Sequence, residues 1–205
     1  MLIETIPVGP LQVNCYLLIC DKSRQAVVVD PGDEGARILD ALSASGSQLA
    51  AVINTHGHFD HIGANAYVIE KTGVELMMHG DDLPLLKEAA EHAAIYGLSV
   101  VPSPEPTRLL VDGDEIKVGE STLKVIHLPG HSPGGICLHV ANDLIVGDGL
   151  FAGSIGRTDL PGGSQEQLVS GIRQKLLVLP EATVVHPGHG PATTIGREKR
   201  HNPFL

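Results

Sequence analysis

Long apolar runs are missing from this 205-residue chain: none approaches the roughly 18 residues of a membrane-spanning helix. Cysteine is scarce, with only Cys15, Cys20 and Cys137. An odd count cannot pair fully, and Cys15 and Cys20 fall an odd number of positions apart on one predicted strand, so they face opposite sides. No disulfide framework is expected, and the chain reads as cytoplasmic. Positive charge is in deficit: 14 Lys and Arg against 24 Asp and Glu leave a net charge of −10. That balance argues against nucleic-acid or anionic-membrane partners, both of which need a cationic footprint. The opening Met1-Leu2-Ile3-Glu4 has no basic region, so no secretory signal is expected. Linkers, charge blocks, low-complexity segments and solenoid repeats are lacking too. Residues 1–205 therefore read as one domain.

Hydrophobic residues make up 42% and charged residues 19% of the chain, a globular composition rather than a disordered one. The 24 glycines and 14 prolines imply many tight turns. Histidine is over-represented: there are eleven, and they cluster.

Strands are expected at Leu2–Ile6, Val13–Cys20, Ala26–Asp30, Leu49–Asn54 and Val74–Met78. Helices are expected over Glu34–Ser45, Ile62–Thr72 and Leu83–Tyr96, ending at Gly46, Gly73 and Gly97. The second half follows the same rhythm, with strands at Arg108–Val111, Glu115–Val118, Thr122–Leu128, Ile136–Val140 and Leu144–Gly147. A helix over Gln165–Leu177 opens on the capping box Ser164-x-x-Gln167 and places Leu168, Ile172 and Leu176 on one face. Thr183–His186 is the last expected strand. Hairpins mixed with helical crossovers define an α/β class, a sheet sandwich with helices outside.

Chemistry concentrates just past the strand Leu49–Asn54. Thr55-His56-Gly57-His58-Phe59-Asp60-His61 places four candidate ligands within six residues. His56 and His58, two apart, can reach one cation from the same side of an extended loop, and Gly57 removes steric resistance. Asp60 and His61 are displaced along the loop and suit a neighbouring cation. Imidazole with carboxylate is a donor set for zinc, with iron and manganese as competitors. The remaining histidines, His79, His92, His127, His139, His186 and His201, fall on predicted strands, a helix and the tail, and read as structural.

The His-x-His-x-Asp-His run resembles the signature of the metallo-β-lactamase superfamily, and the rest of that pattern follows in order. Val29-Asp30-Pro31-Gly32 resembles the first motif, and Leu128-Pro129-Gly130-His131-Ser132-Pro133-Gly134 the third. Val146-Gly147-Asp148 resembles the bridging aspartate, and Pro187-Gly188-His189-Gly190-Pro191 the final histidine. Gly156-Arg157-Thr158-Asp159-Leu160-Pro161-Gly162 and the tail His201-Asn202-Pro203-Phe204-Leu205 look like the short, single-domain branch of glyoxalase II-like hydrolases.

The resemblance implies an αββα sandwich and two divalent metal ions, zinc first, with iron or manganese as alternatives. One ion would be held by His56, His58, His131 and Asp148, the other by Asp60, His61, His189 and Asp148. Asp148 would bridge them, and the carboxylates Asp60 and Asp148 would serve catalysis as well. Asp30 would orient the metal loop. Two cations about 3.5–4 Å apart share a hydroxide that is nucleophilic at neutral pH. The implied reaction is hydrolysis of S-2-hydroxyacylglutathione to glutathione and a hydroxy acid, on a small-molecule thioester as partner. A thiolate, with a parent pKa of about 8.5, leaves without being protonated, whereas an amine does not.

Larger glyoxalase II enzymes carry a C-terminal helical domain that helps to hold glutathione; the chain ends at Leu205, and no such domain is expected. Their loop Lys and Tyr correspond here to Arg157 and Asp159, and Gly135 and Gly149 stand where relatives commonly carry bulkier residues. Arg157 is expected either to bind a substrate carboxylate or to pair with Asp159 or Asp148. The alternatives in the same superfamily are a persulfide dioxygenase, with one iron on His58, His131 and Asp148, and a lactonase or other ester hydrolase. With no secretory signal expected, a secreted lactamase is not the expected reading.

Overall fold

The computed structural model describes residues 1–205. The first sheet comprises β1 (Leu2–Val8), β2 (Val13–Ile19), β3 (Gln25–Val29), β4 (Gln48–Ile53), β5 (Glu75–His79) and β6 (Arg108–Leu110), in that spatial order. Its first three strands are antiparallel and its last four run parallel. The chain then forms β7 (Glu115–Val118), β8 (Ser121–His127), β9 (Ile136–Val140) and β10 (Asp143–Gly147). A small hairpin follows, β11 (Leu150–Phe151) with β12 (Ser154–Ile155), and then β13 (Val184–Pro187) and β14 (Thr193–Thr194). The second sheet is ordered β14-β13-β10-β9-β8-β7, with β10 and β13 parallel.

Side-chain alternation explains why the two sheets stack. Every residue of β2 is buried, so it is covered on both faces. Tyr16 and Leu18 point inward to Ile116, Leu123, Val125 and Leu138 of the second sheet. Cys15, Leu17 and Ile19 point outward to Ile38 and Leu42 of α1 (Gly35–Ala44) and Val68 of α3 (Asn65–Thr72). Cys15 and Cys20 accordingly lie in different cores, and all three cysteines are free. On the far side, Leu168 of α5 (Gln165–Gly171) and Ile195 of α6 (Ile195–His201) cover Leu144, Val146 and Val185. The order of layers is helix, sheet, sheet, helix, as the motif resemblance implied. No helix is long and apolar enough to cross a membrane.

Two expectations are corrected. The helix expected over Ile62–Thr72 is divided into α2 (Phe59–Ile62) and α3, with a break at Gly63-Ala64. The side chain of Asn54 donates to the His61 carbonyl (3.2 Å) and the Ala64 N–H donates to Pro31 O (2.9 Å), which draws the backbone out of its helical ladder. Gly63 packs directly on the Gly32 carbonyl, where no β-carbon fits. The helix expected over Gln165–Leu177 is α-helical only to Gly171; Ile172–Leu176 is a π turn closed by Leu177 N–H to Ile172 O (2.9 Å). Its cap is as expected: Ser164 Oγ accepts from the Gln167 N–H (3.3 Å). The segments β11, β12, β14 and α6 are additions that two-residue strands and a polar tail did not signal.

The parallel strands deliver the motif loops to one rim. Loops leave the C-terminal ends of β4, β10 and β13 and are stitched together by backbone bonds: Gly188 N–H to Gly147 O (2.7 Å), Ile136 N–H to Thr55 O (2.8 Å) and Asn14 N–H to Gly188 O (2.8 Å). Ligand sites in parallel α/β sheets form at such carboxyl ends.

Candidate metal centre

At that rim the structure brings together all seven residues implied as ligands. His56, His58 and His131 form one group of converging donor atoms, and Asp60, His61 and His189 form another. Asp148 lies between them: Oδ2 is 3.7 Å from His131 Nε2 and 3.6 Å from His189 Nε2, and Oδ1 is 3.4 Å from His61 Nε2. Asp60 Oδ2 is 3.2 Å from His189 Nε2. His58 Nδ1 approaches His131 Nε2 at 2.9 Å.

Four of the five rings are held from behind. His56 Nδ1 meets Thr55 Oγ1 (3.0 Å), and His61 Nδ1 meets Asp30 Oδ2 (2.9 Å). His131 Nδ1 donates to the Arg157 carbonyl (2.8 Å) and His189 Nδ1 to the Leu11 carbonyl (3.0 Å). Asp30 is the buried hub of this support. It accepts from the Thr55 N–H (2.7 Å) and hydroxyl (2.6 Å) as well as from His61, from a left-handed backbone (φ 52°). Such anchors fix the tautomer and orientation of a metal-binding imidazole.

What faces the centre is unsatisfied. His56 Nε2, His61 Nε2 and Asp148 Oδ1 are buried without a hydrogen-bond partner. A buried polar atom left so costs about 1–3 kcal/mol, and three of them around a shared carboxylate are a cradle for cations. Gly188 runs so close that a β-carbon would collide with Asp148 Oδ1 and His61 Cε1. The donor set therefore fits divalent metal ions.

The two groups differ electrically. Burial, then the neighbouring imidazoles, pushes His56 well below the ordinary histidine pKa and His58 down to about 3. In the other group burial also opposes charge on His61, but Asp148, Asp60 and Asp30 outweigh it and raise its pKa to about 10. For His189, burial is outweighed by the hydrogen bond to Asp60 and the charge of Asp148, and its pKa rises. Burial likewise works to raise Asp60, yet His61 and His189 hold it below the usual carboxylate range.

Above the centre opens a cleft of about 530 Å³. Leu85, Ile95, Tyr96, Leu160 and Pro161 make its walls apolar, and His58, Asp60, His131, Asp148 and His189 lie at its floor. Arg157 lines it, but is engaged by Asp159 through two bonds (2.8 and 2.9 Å), with both side chains exposed to solvent. Of the two pairings expected, the one with Asp159 is formed and the one with Asp148 is not. Gly135 and Gly149 lie instead in a small recess behind His56 and His131. Gly149 abuts Leu128 and Gly135 its carbonyl, so larger residues there would press on the packing.

Two residues were missed. His92, read as structural, lines the cleft from α4 (Leu83–Ile95), one helical stripe with Leu85 and Tyr96. Asp82 is fully buried and ties two ligand loops together, accepting from Gly57 N–H (2.9 Å), Ser132 Oγ (2.7 Å) and Gly134 N–H (2.5 Å). Burial raises its pKa against those three bonds. Its only sequence signal was the Gly80-Asp81-Asp82 turn, indistinguishable from a solvated one.

Residues 8–189 match the family model described as the metallo-beta-lactamase superfamily. The chain belongs to that superfamily and is a metallo-hydrolase. Among curated relatives, the hydroxyacylglutathione hydrolase GloC of Haemophilus influenzae is 40% identical, over 100% of this chain and 98% of its own. Among solved structures, the B3 metallo-beta-lactamase BLEG-1 superposes with a TM-score of 0.93 at 38% identity, covering 100% of this chain and 99% of its own. TTHA1623, in a di-iron-bound form, gives 0.91 at 41%, covering 98% and 100%. ETHE1 from Myxococcus xanthus gives 0.83 at 29%, covering 99% and 84%.

Proposed function

We propose that the protein hydrolyses thioesters in the manner of glyoxalase II, with S-2-hydroxyacylglutathiones as substrates and two zinc ions as cofactors. The observation that carries the reading is the carboxylate of Asp148, facing His131 on one side and His61 and His189 on the other at the floor of the cleft. A group so placed suits a ligand shared between two cations. The full-length similarity to GloC supports the substrate, and the di-iron form of TTHA1623 supports a two-metal count.

His56, His58 and His131 would hold one ion and Asp60, His61 and His189 the other, with Asp148 common to both. Bound there, the ions would supply a nucleophile from water at neutral pH and polarise the scissile carbonyl. The chain's own part is positioning. Thr55, Asp30 and the carbonyls of Arg157 and Leu11 fix the rings. The apolar walls exclude water from the acyl group, and Arg157 can exchange Asp159 for a substrate carboxylate. Departure as thiolate asks for no proton. Three buried, unpaired cysteines fit a reducing compartment, and we read the enzyme as cytoplasmic.

One rival has an observation behind it: His58, His131 and Asp148 converge at 2.9 and 3.7 Å, a set of two histidines and a carboxylate that would suit the single iron of a persulfide dioxygenase. The intact second group, with its own buried, unpartnered nitrogen on His61, weighs against a single ion. Metal analysis with turnover of S-lactoylglutathione decides. Two metals per chain with hydrolysis and no oxygen uptake is the expected outcome. One iron per chain, with oxygen uptake on glutathione persulfide and no thioesterase activity, would overturn it.

A further inference from the structure

The segment His201-Asn202-Pro203-Phe204-Leu205 takes no part in the centre or the cleft, yet its buried polar groups are engaged 45 and 48 residues back in the chain. Glu198 of α6 is 1% exposed and Asn202 is 6% exposed. The Glu198 carboxylate accepts from the Gly153 N–H (2.8 Å), the Thr193 hydroxyl (2.5 Å) and the Asn202 side-chain amide (2.9 Å). The same amide donates to the Ser154 carbonyl (2.9 Å). None of these donors is a cation. A buried carboxylate needs its hydrogen bonds, and these come from separate segments, so the group ties those segments together.

Gly153 and Ser154 are the tip of the hairpin formed by β11 and β12, and the other end of that hairpin is the metal centre. Asp148 stands two residues before β11, and Arg157 two residues after β12. Where the strands part, Gly156 packs on the Asp148 carbonyl and the His131 ring with no room for a β-carbon. One arm therefore carries the carboxylate that lies between the two donor groups. The other carries the Arg157 carbonyl, which accepts from His131 Nδ1 at 2.8 Å. Each strand is only two residues long, and an isolated pair of strands is marginally stable at best. Leu150 anchors the first arm in the core beside Leu144 and Val146. The tip is placed by Glu198 and Asn202.

We propose that Glu198 and Asn202 are positioning residues of the metal centre: by gripping the hairpin at its tip they fix, at its base, where Asp148 and the Arg157 carbonyl stand. The other anchored rings are supported elsewhere, His56 by Thr55, His61 by Asp30 and His189 by the Leu11 carbonyl. The ion held by His56, His58 and His131 is thus the more sensitive of the two, because it depends on both arms. The proposal rests on the metal centre and not on the thioester reading. A chain that loads metal and leaves S-lactoylglutathione intact would sink that reading and still test this one.

The test is chelator competition on the metal-loaded protein, with hydrogen exchange of residues 149–157 measured on the metal-free protein. Asn202→Ala and Glu198→Ala should each weaken the binding of one ion by about 10-fold, the low end for residues that orient a ligand. Both should speed exchange across the hairpin. Glu198→Gln keeps an acceptor for the Gly153 N–H and should restore the affinity. Ile172→Val, which thins the core shared with Leu150, is the control for general loss of stability: Tm should fall and metal affinity should hold. If Asn202→Ala lowers Tm yet binds both ions as tightly as wild type, the clasp only closes the fold and the proposal is overturned. It is overturned as well if affinity falls with hairpin exchange unchanged, or falls equally in Ile172→Val. If Glu198→Ala fails to fold, Asn202→Ala, which leaves Glu198 bonded to Gly153 and Thr193, decides the matter.

Discussion

The floor and the wall of the cleft are built on opposite rules. On the floor, four of five histidine rings have their far nitrogen bonded to a hydroxyl, a carboxylate or a carbonyl at 2.8–3.0 Å. On the wall, Arg157 is bonded to a solvent-exposed Asp159, and His92 stands 3.7 Å from Glu88 on the next turn of its helix. Preorganisation is spent where metals are to be held, and exchangeable pairs stand where a substrate must enter. Floor residues should accordingly govern metal content and rate, and wall residues KM and substrate choice.

The largest effect should come from Asp148→Ala, which removes the one carboxylate common to both donor groups. Loss of a residue that only orients a ligand typically costs 10- to 100-fold, so this variant should lose more than about 100-fold in activity together with most bound metal. His58→Ala should lose metal from the all-imidazole group and fall almost as far. Near-normal metal loading and turnover in either variant would break the two-metal assignment.

Next comes the support beneath the floor. Asp30→Ala frees His61 Nδ1 and leaves the Thr55 N–H and hydroxyl without their acceptor. Metal affinity, read by competition with a chelator, should drop by about 10- to 100-fold. Asp82→Ala strips three donors of their acceptor and should cost about 3 kcal/mol in denaturant unfolding. If Asp82→Ala left stability unchanged, the clasp between the two ligand loops would be incidental.

Arg157 tests the wall. A charged hydrogen bond contributes about 1.5–3 kcal/mol, and an exposed ion pair about 0–1. Exchange of Asp159 for a substrate carboxylate should thus be favourable. Arg157→Ala should raise KM for S-lactoylglutathione by about 10-fold, while Asp159→Asn, which frees the guanidinium, should lower it. The opposite signs are the point of the pair. If both variants lose kcat and Tm while KM holds, the ion pair is a loop anchor and binds no substrate.

The same contrast explains what the sequence made legible. The floor is encoded locally: a metal loop needs several donors within a few residues, so Thr55–His61 stood out, and His131, Asp148 and His189 fell at strand ends where loops reach the rim. Fold class followed from alternation, as in β2, whose two faces serve two cores. The wall is encoded by which helix packs beside which loop. His92 is one polar position on an otherwise ordinary amphipathic helix, and only the packing of α4 beside α2 turns it toward the cleft. Asp82 was hidden for the same reason, because its partners lie 25 and 50 or more residues away. The break at Gly63 and the π turn at Ile172 came from tertiary bonds and packing that periodicity does not carry.

The smallest effect on the proposed reaction should come from His92, and its smallness is informative. Beyond the residues of the floor, His92, Tyr96 and Arg157 are the titratable side chains lining the cleft. Of these, the imidazole is the side-chain type that most often serves as a general acid. A thiolate leaves without a proton, so His92→Ala should change kcat on S-lactoylglutathione by less than about 3-fold. An amine or alkoxide leaving group does need one, and general acid catalysis is worth about 10²- to 10⁴-fold. Any turnover of a β-lactam or a lactone should therefore fall by about 100-fold in the same variant. His92→Gln, which keeps the volume and cannot donate a proton with similar acidity, should behave like the alanine. Equal losses on thioester and lactam would mean that His92 shapes the wall rather than supplies a proton. A loss confined to the thioester would place the leaving sulfur against this side chain and make the wall part of the chemistry.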